Sequence, residues 1–505
     1  MKRARQSPPP LIEGIQSCTG RRGTYNQFKL LALVVTFWCY CLFHATRKPP
    51  SVVKSVLKGD RNFSSGDAAD DDTTLNYGWA PFNGPNGQSL LGQVDLAFLA
   101  AYAAGMFTVG HMGDRTDLRV FLAVGMLGSG IFCCLFGMAY LWDIHSMWYF
   151  TTMMVIAGVF QSTGWPSVVA IMGNWYGKGK RGLVMGIWNA HTSLGNILGT
   201  VVAAACLRYG WGYAFILPGV LISLLGLVVF AVLVVQPSDI GLGGSYEPVK
   251  SADLAYDADD EKDRAEAESS ESVGFMQAWA IPGVSSFAFC LFFSKLIAYT
   301  FLYWLPYYIK STPIEGRLLS AKQAGDLSTL FDVGGVAGGI MAGHLSDKSG
   351  ASALVSTSFT LASVPILYMY RYYGNVSFVV NVVLMMACGF CVNGPYALIT
   401  TAVSADLGTH ESLAGNAKAL ATVTAIIDGM GSIGAAIGPM LTGYISERGG
   451  FDGVFVMLYI AALSAGLLLV RLCIKELQTM KADRKLGMRV SSGVQLAAKA
   501  AQAVV

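Results

Sequence analysis

The feature that most constrains this chain is a series of about twelve apolar segments, most of them near the 20 or so residues a helix needs to cross a bilayer. They fall near 28–56, 93–113, 120–141, 147–173, 183–206 and 211–235, then near 279–309, 327–345, 352–370, 376–403, 415–445 and 454–474. Within hydrocarbon every backbone polar group must be satisfied internally, so only helices or closed barrels span. These segments lack the sustained alternation of an outer-membrane barrel, and they predict an all-α polytopic membrane protein with twelve transmembrane helices. Only 13% of residues are charged, against about 25% in soluble domains, which excludes a soluble enzyme. A scattered net charge of +3 gives no nucleic-acid footprint. Cys388 and Cys391 form a C-x-x-C inside an apolar helix with no second pair, a packing pattern rather than a metal or redox site. No metal, cofactor or enzymatic activity is expected.

The segments form two sets of six. Between them, 236–275 is polar, runs through acidic and basic residues from Ala258 to Arg264, and reads as a flexible charged linker. The expected organisation is a tail at 1–27, a six-helix bundle at 28–235, the linker, a second bundle at 276–475 and a tail at 476–505. The halves echo each other. Gly110-x-x-x-Asp114-Arg115 closes the second span and Gly343-x-x-x-Asp347-Lys348 the eighth. Gly164-Trp165-Pro166 in the fourth has its counterpart in Gly394-Pro395 of the tenth. Gly195-x-x-x-Gly199 in the fifth matches Gly434-x-x-x-Gly438 in the eleventh, a spacing that lets helix backbones approach closely. Two six-helix pseudo-repeats in parallel, with a site between them, are the plan of the major facilitator fold.

Lys and Arg gather in both tails and in the loops after the second and fourth spans, which places both termini and the linker in the cytoplasm. The sequons at Asn62 and Asn375 fall on the opposite side.

Charges within apolar segments mark function or a structural partner. The purely apolar part of the first span, Leu30 to Phe43, is too short to cross, so Arg47 and Lys48 are drawn into the membrane and Pro49 and Pro50 kink the helix. Either the two cations snorkel to headgroups, or Arg47 anchors an anion in a water-filled cavity. Lys295 lies deep in the seventh span, which starts the second half as the first span starts the first. It is either half of an ion pair with Asp332 or Asp428, or the second arm of an anion clamp. His191 in the fifth span is either a satisfied core residue or a phosphate donor that titrates near neutral pH. Tyr40 and His44 share a helix with Arg47, Tyr299 is one turn beyond Lys295, and Trp165 is in the fourth span. Asn189 and Asn393 complete the candidate lining. Gly110, Asp114, Arg115 and Arg119 are expected to latch one conformation through pairing between the halves.

Gly-x-x-x-Asp-Arg-x-x-x-Arg at 110–119 resembles the loop signature of the major facilitator superfamily. Arg47-Lys48-Pro, Gly164-Trp-Pro-Ser-Val-Val, Trp188-Asn-Ala-His and Ala421-Thr-Val-Thr-Ala-Ile-Ile-Asp-Gly together resemble its organophosphate:phosphate antiporters. Within them the resemblance is to the eukaryotic sugar-phosphate exchangers and plant glycerol-3-phosphate permeases, over about 28–475. It implies exchange of an organic phosphate for inorganic phosphate by alternating access, with a monomer sufficient. It also implies a clamp of one Arg from the first helix and one from the seventh. Arg47 matches the first. The second falls on Ala298, one turn from Lys295, which replaces a fork by a point charge. Met106 stands where bacterial members carry a Lys, and His191 falls one residue early. The alternative reading is a proton-coupled organic-anion symporter. The expected location is an integral position in the plasma membrane, endoplasmic reticulum or plastid envelope.

Overall fold

A computed structural model describes residues 8–19, 23–59, 78–176, 188, 190–240, 279–403, 407 and 417–502. A short helix, Pro10–Thr19, precedes the first span. Among the described residues, nine helical runs are long and apolar enough to cross a membrane. One of them, Ile426–Ala482, is broken at Gly450, where φ is 67°, and therefore serves as the eleventh and twelfth spans. His191–Cys206 and Ala321–Ser349 supply the fifth and eighth. The twelve spans expected from the sequence are thus accounted for, and no described residue outside helices and turns forms a strand. The last helix runs beyond residue 475 to Gln502, into the segment expected to be a tail.

Local chemistry sets the helix limits. Thr24 and Ser320 each accept from the backbone N–H three residues on while Gln27 and Gln323 reach back, closing capping boxes at the starts of the first and eighth spans. The first span is two helices, Tyr25–Ala45 and Pro49–Lys58. Pro49 and Pro50 begin the second piece, where a missing N–H costs nothing, so they kink the span without ending it. The fourth span breaks the same way between Met147–Gln161 and Gly164–Trp175. Ser162 and Thr163 there turn their hydroxyls onto the carbonyls of Val159 and Phe160 at 2.6 and 2.9 Å.

The repeat is visible in the packing. A Cβ at Gly195 or Gly199 would strike the backbone carbonyls of Cys41 or Ala45 in the first span. One at Gly434 or Gly438 would strike Phe292 or Leu296 in the seventh. The fifth span therefore lies on the first as the eleventh lies on the seventh, and only glycine permits either approach.

Three apolar clusters organise the interior. One contains residues of both halves, among them Val53, Leu91 and Trp211 with Trp304, Phe331 and Phe455. The other two are confined to one half each, around Phe28, Leu118 and Val229, and around Phe287, Val355 and Leu469. The shared cluster lies toward the ends of the spans remote from the tails, and the separate ones lie toward the tails. The halves are thus packed together on one side of the bilayer and hold separate cores on the other.

Candidate functional site

The break in the first span, Thr46 to Lys48, presents its cations to the interface of the halves. Both are buried, so neither snorkels to a headgroup: Arg47 is 3% exposed and Lys48 3%. Arg47 donates through Nε to the amide oxygen of Gln161, the last residue before the break in the fourth span. Its guanidinium lies 4.6 Å from the Tyr102 ring centre, and its Nη2 is buried without a hydrogen-bond partner. Together with Thr46, Asp95, Ser129 and Gln161 of the amino-terminal half and Tyr303 of the seventh span, it lines a cavity where the halves meet.

Lys48 turns toward the other half. It donates to the Leu302 carbonyl at 3.2 Å and stands 4.0 Å from the Asp332 carboxylate. Asn196 donates to the other Asp332 oxygen at 3.2 Å and is itself 3.1 Å from His44 Nδ1. Asp332, one of two partners considered for Lys295, therefore serves Lys48. Lys295 pairs with Asp428 at 2.7 Å and lies 5.5 Å from the Tyr396 ring centre. Its partner is the less enclosed of the two, since the Asp428 side chain keeps 32% of its surface exposed. The helix that carries Lys295 also carries Tyr303, which lines the Arg47 cavity, so it borders the region that holds Arg47. Tyr299 stacks on Tyr303 at 6.3 Å between centres.

His191, fully buried, sits in an aromatic box. Its ring centre is 4.4 Å from Trp188, 4.8 Å from Tyr40, 5.9 Å from Phe37 and 6.3 Å from Trp165. Nδ1 meets Thr192 Oγ1 at 3.1 Å, and Nε2 is buried without a partner. Tyr40 packs at a tilt against Trp165 at 4.9 Å and His44 at 5.1 Å, which joins the box to the first span. Asn393 lies in the tenth span against Gly335 of the eighth. Gly110 falls within the second-span helix Gly87–Arg115, whereas Asn189, the side chains of Asp114 and Arg115 and most of the 236–275 linker lie outside the described residues. Arg119 pairs with Asp117 at 3.3 Å and faces the Phe230 ring at 5.8 Å, both in its own half.

Several residues at this interface were missed from the sequence. Lys54 and Asp95, on the first and second spans, pair at 2.8 Å with both side chains 1% exposed, and Lys54 Nζ lies 5.1 Å from the Trp304 ring of the seventh span. Both are charges inside apolar helices, the signal that singled out Lys295. Gln161 and Tyr102 carry no such signal, because a lone amide or phenol in an apolar helix is ordinary.

Further contacts join the halves at the ends remote from the tails. Gln88 donates to the Tyr307 hydroxyl at 2.7 Å and accepts from Ser446 at 3.0 Å. The Ser89 amide, in the uncapped first turn of the second span, donates to Glu447 at 2.9 Å.

Of Arg47, Lys48, Lys54 and Lys295, the last three each face a carboxylate within salt-bridge reach. Among the described residues no carboxylate stands within that reach of Arg47. Four positive charges against three negative ones leave about one unit of charge, located on Arg47. A buried charge without a counter-ion costs several kcal/mol.

The comparisons with known proteins agree with this architecture. Residues 72–321 and 287–495 match the Major Facilitator Superfamily. An Arabidopsis thaliana protein provisionally named glycerol-3-phosphate transporter 1 is 52% identical over 510 residues, covering 95% of this chain and 94% of its own. The Xenopus laevis glucose-6-phosphate exchanger is 46% identical over 499 residues, covering 94% and 98%. The crystal structure of a bacterial homolog of the human lysosomal transporter Spinster shares the fold, with a TM-score of 0.59 at 14% identity over 90% of this chain and 97% of that one. Twelve spans, paired glycine contacts in both halves and matches across nearly the whole sequence lead to one conclusion: the chain is a multi-pass membrane protein of the major facilitator superfamily.

Proposed function

We propose that this protein exchanges glycerol-3-phosphate or a small sugar phosphate for inorganic phosphate by alternating access, with both termini in the cytoplasm. The observation that carries the reading is the state of Arg47, a permanently charged, buried fork with no carboxylate in salt-bridge reach among the described residues and with Nη2 unsatisfied. A phosphate oxygen supplies both the missing charge and the missing acceptor. The names of the relatives supply the organic part.

The geometry supports a sequence of events. Phosphate enters from the tail side, where the halves keep separate cores, and meets Arg47 in the amino-terminal half. A second oxygen competes with Asp428 for Lys295, drawing the carboxy-terminal half toward the ligand. Tyr40, His44, Trp165, His191 and Tyr299 then enclose the organic part, with Asn189 and Asn393 as polar contacts. Closing the tail side strains the opposite side, where Lys48–Asp332, Gln88–Tyr307 and Ser89–Glu447 must open. Gly110, Asp114, Arg115 and Arg119 would engage the tail side in the reoriented state. An empty carrier would have to close around the Arg47 charge, which favours exchange over one-way movement. One copy of the chain contains all of these groups.

The test is uptake of radiolabelled phosphate into proteoliposomes preloaded with phosphate, glycerol-3-phosphate, glucose-6-phosphate or nothing. Uptake that requires an internal phosphate compound is the expected result, and the most effective preload identifies the organic substrate. Equal uptake into empty and loaded vesicles, driven by a pH gradient, would sink the exchange reading.

A further inference from the structure

We infer that Gln161 is the positioning residue of the anion site: it fixes the Arg47 fork through a neutral acceptor and so keeps the arginine's charge available to substrate. The inference rests on the reading of Arg47 as the anion anchor. An arginine buried in a membrane bundle ordinarily finds a carboxylate, as Lys48, Lys54 and Lys295 do here. Arg47 instead gives Nε to an amide oxygen. The amide is itself held, since its Nε2 donates to Thr46 Oγ1 at 3.0 Å and to Ser129 Oγ at 3.3 Å. Gln161, Ser129 and Thr46 are 2%, 1% and 7% exposed, so water does not compete for these bonds.

The bonds join the first, third and fourth spans. Thr46 lies in the break of the first span, beside Arg47 itself. Gln161 occupies the last turn of a helix that ends where Ser162 and Thr163 divert its carbonyls. An amide suits this position by its chemistry. Its oxygen accepts from Nε, its nitrogen satisfies two hydroxyls, and it brings no charge. A carboxylate of the same length would accept from Nε equally well, but would neutralise the guanidinium and compete with phosphate for the fork. With Nε occupied and the ring of Tyr102 against the guanidinium, the unsatisfied Nη2 is left for the ligand.

The substitution Gln161→Glu separates positioning from packing, because it conserves shape, adds a charge, and exchanges the amide donor for an oxygen to which the Thr46 and Ser129 hydroxyls can donate in turn. The full-length protein in detergent, titrated with inorganic phosphate while thermal unfolding is followed, gives both ligand affinity and the stability of the empty state. Gln161→Glu is expected to unfold at or above the wild-type temperature without phosphate, and to need at least about tenfold more phosphate for the same upward shift. Gln161→Ala, which frees the fork without neutralising it, is expected to weaken phosphate binding by a smaller factor. Gln161→Glu with wild-type phosphate affinity would overturn the inference. So would a loss of affinity in both variants that merely follows a loss of empty-state stability. Arg47→Ala, measured alongside, separates the two levels: if it abolishes the phosphate shift while Gln161→Glu does not, only the positioning role fails. If Arg47→Ala retains the shift, the anion site itself is misplaced.

Discussion

The first and seventh spans hold equivalent places in the two halves, and each buries a cation at the interface, yet the two cations are in opposite electrostatic states. Lys295 is neutralised by Asp428 at 2.7 Å. Arg47 is held by an amide and an aromatic face, and its charge is uncompensated among the described residues. The repeat thus conserves backbone packing, with a fifth-span glycine pair on the first span and an eleventh-span pair on the seventh, while the charge is distributed unequally. The difference assigns different work to the halves. Arg47 is poised to take an anion directly, whereas Lys295 must be released from a carboxylate, so the carboxy-terminal half responds to a ligand already bound.

The largest effect that would test this contrast is at Arg47. Truncating one member of a buried, hydrogen-bonded charge pair costs about 2–5 kcal/mol, so Arg47→Ala should reduce phosphate exchange in proteoliposomes by roughly 30-fold or more. No single carboxylate substitution should restore it. Lys295 should behave differently. Lys295→Ala leaves Asp428 facing the anion and should lower exchange by about tenfold, an estimate drawn from repulsion beside a buried site. Adding Asp428→Asn should recover most of that loss. A double variant as impaired as Lys295→Ala would show that Lys295 contacts phosphate as directly as Arg47, and the proposed asymmetry would collapse.

A smaller effect is expected where the halves touch. Asp332→Asn removes the charge opposing Lys48 and should weaken closure of the side remote from the tails, by a factor of a few for a partly relaxed pair. Cysteines introduced at Gln88 and Ser446, whose side chains meet at 3.0 Å, report it as a lower cross-linking yield without substrate. An unchanged yield would mean that the apolar cluster shared by the halves holds that side closed by itself. The smallest change concerns Tyr102. A cation–π contact on a partly exposed ring such as Tyr102 is worth about 0.5–1 kcal/mol, so Tyr102→Leu should raise the phosphate concentration for half-maximal exchange by roughly twofold to fivefold. Tyr102→Phe should leave it nearly unchanged. Equal losses in both would mean that the hydroxyl, rather than the ring, supports Arg47.

The sequence determined the number and order of the spans, their division into two sets and the glycine contacts that pack them, because membrane insertion and close helix approach are read from local composition and spacing. It also exposed Arg47, Lys48, Lys295 and Asp428, since a charge in an apolar run stands out whatever surrounds it. The pairing of those charges was decided by the tertiary structure. Asp332 and Asp428 were interchangeable partners for Lys295 along the chain, and helix packing alone gave the first to Lys48 and the second to Lys295. Lys54 with Asp95 and Gln161 beneath Arg47 became meaningful only when separate spans were brought together. Whether a buried cation is spent on a carboxylate or left for a ligand depends on which side chains meet within about 4 Å, the distance over which such pairing acts. Local patterning fixes the helices, but that meeting is a property of how they cross.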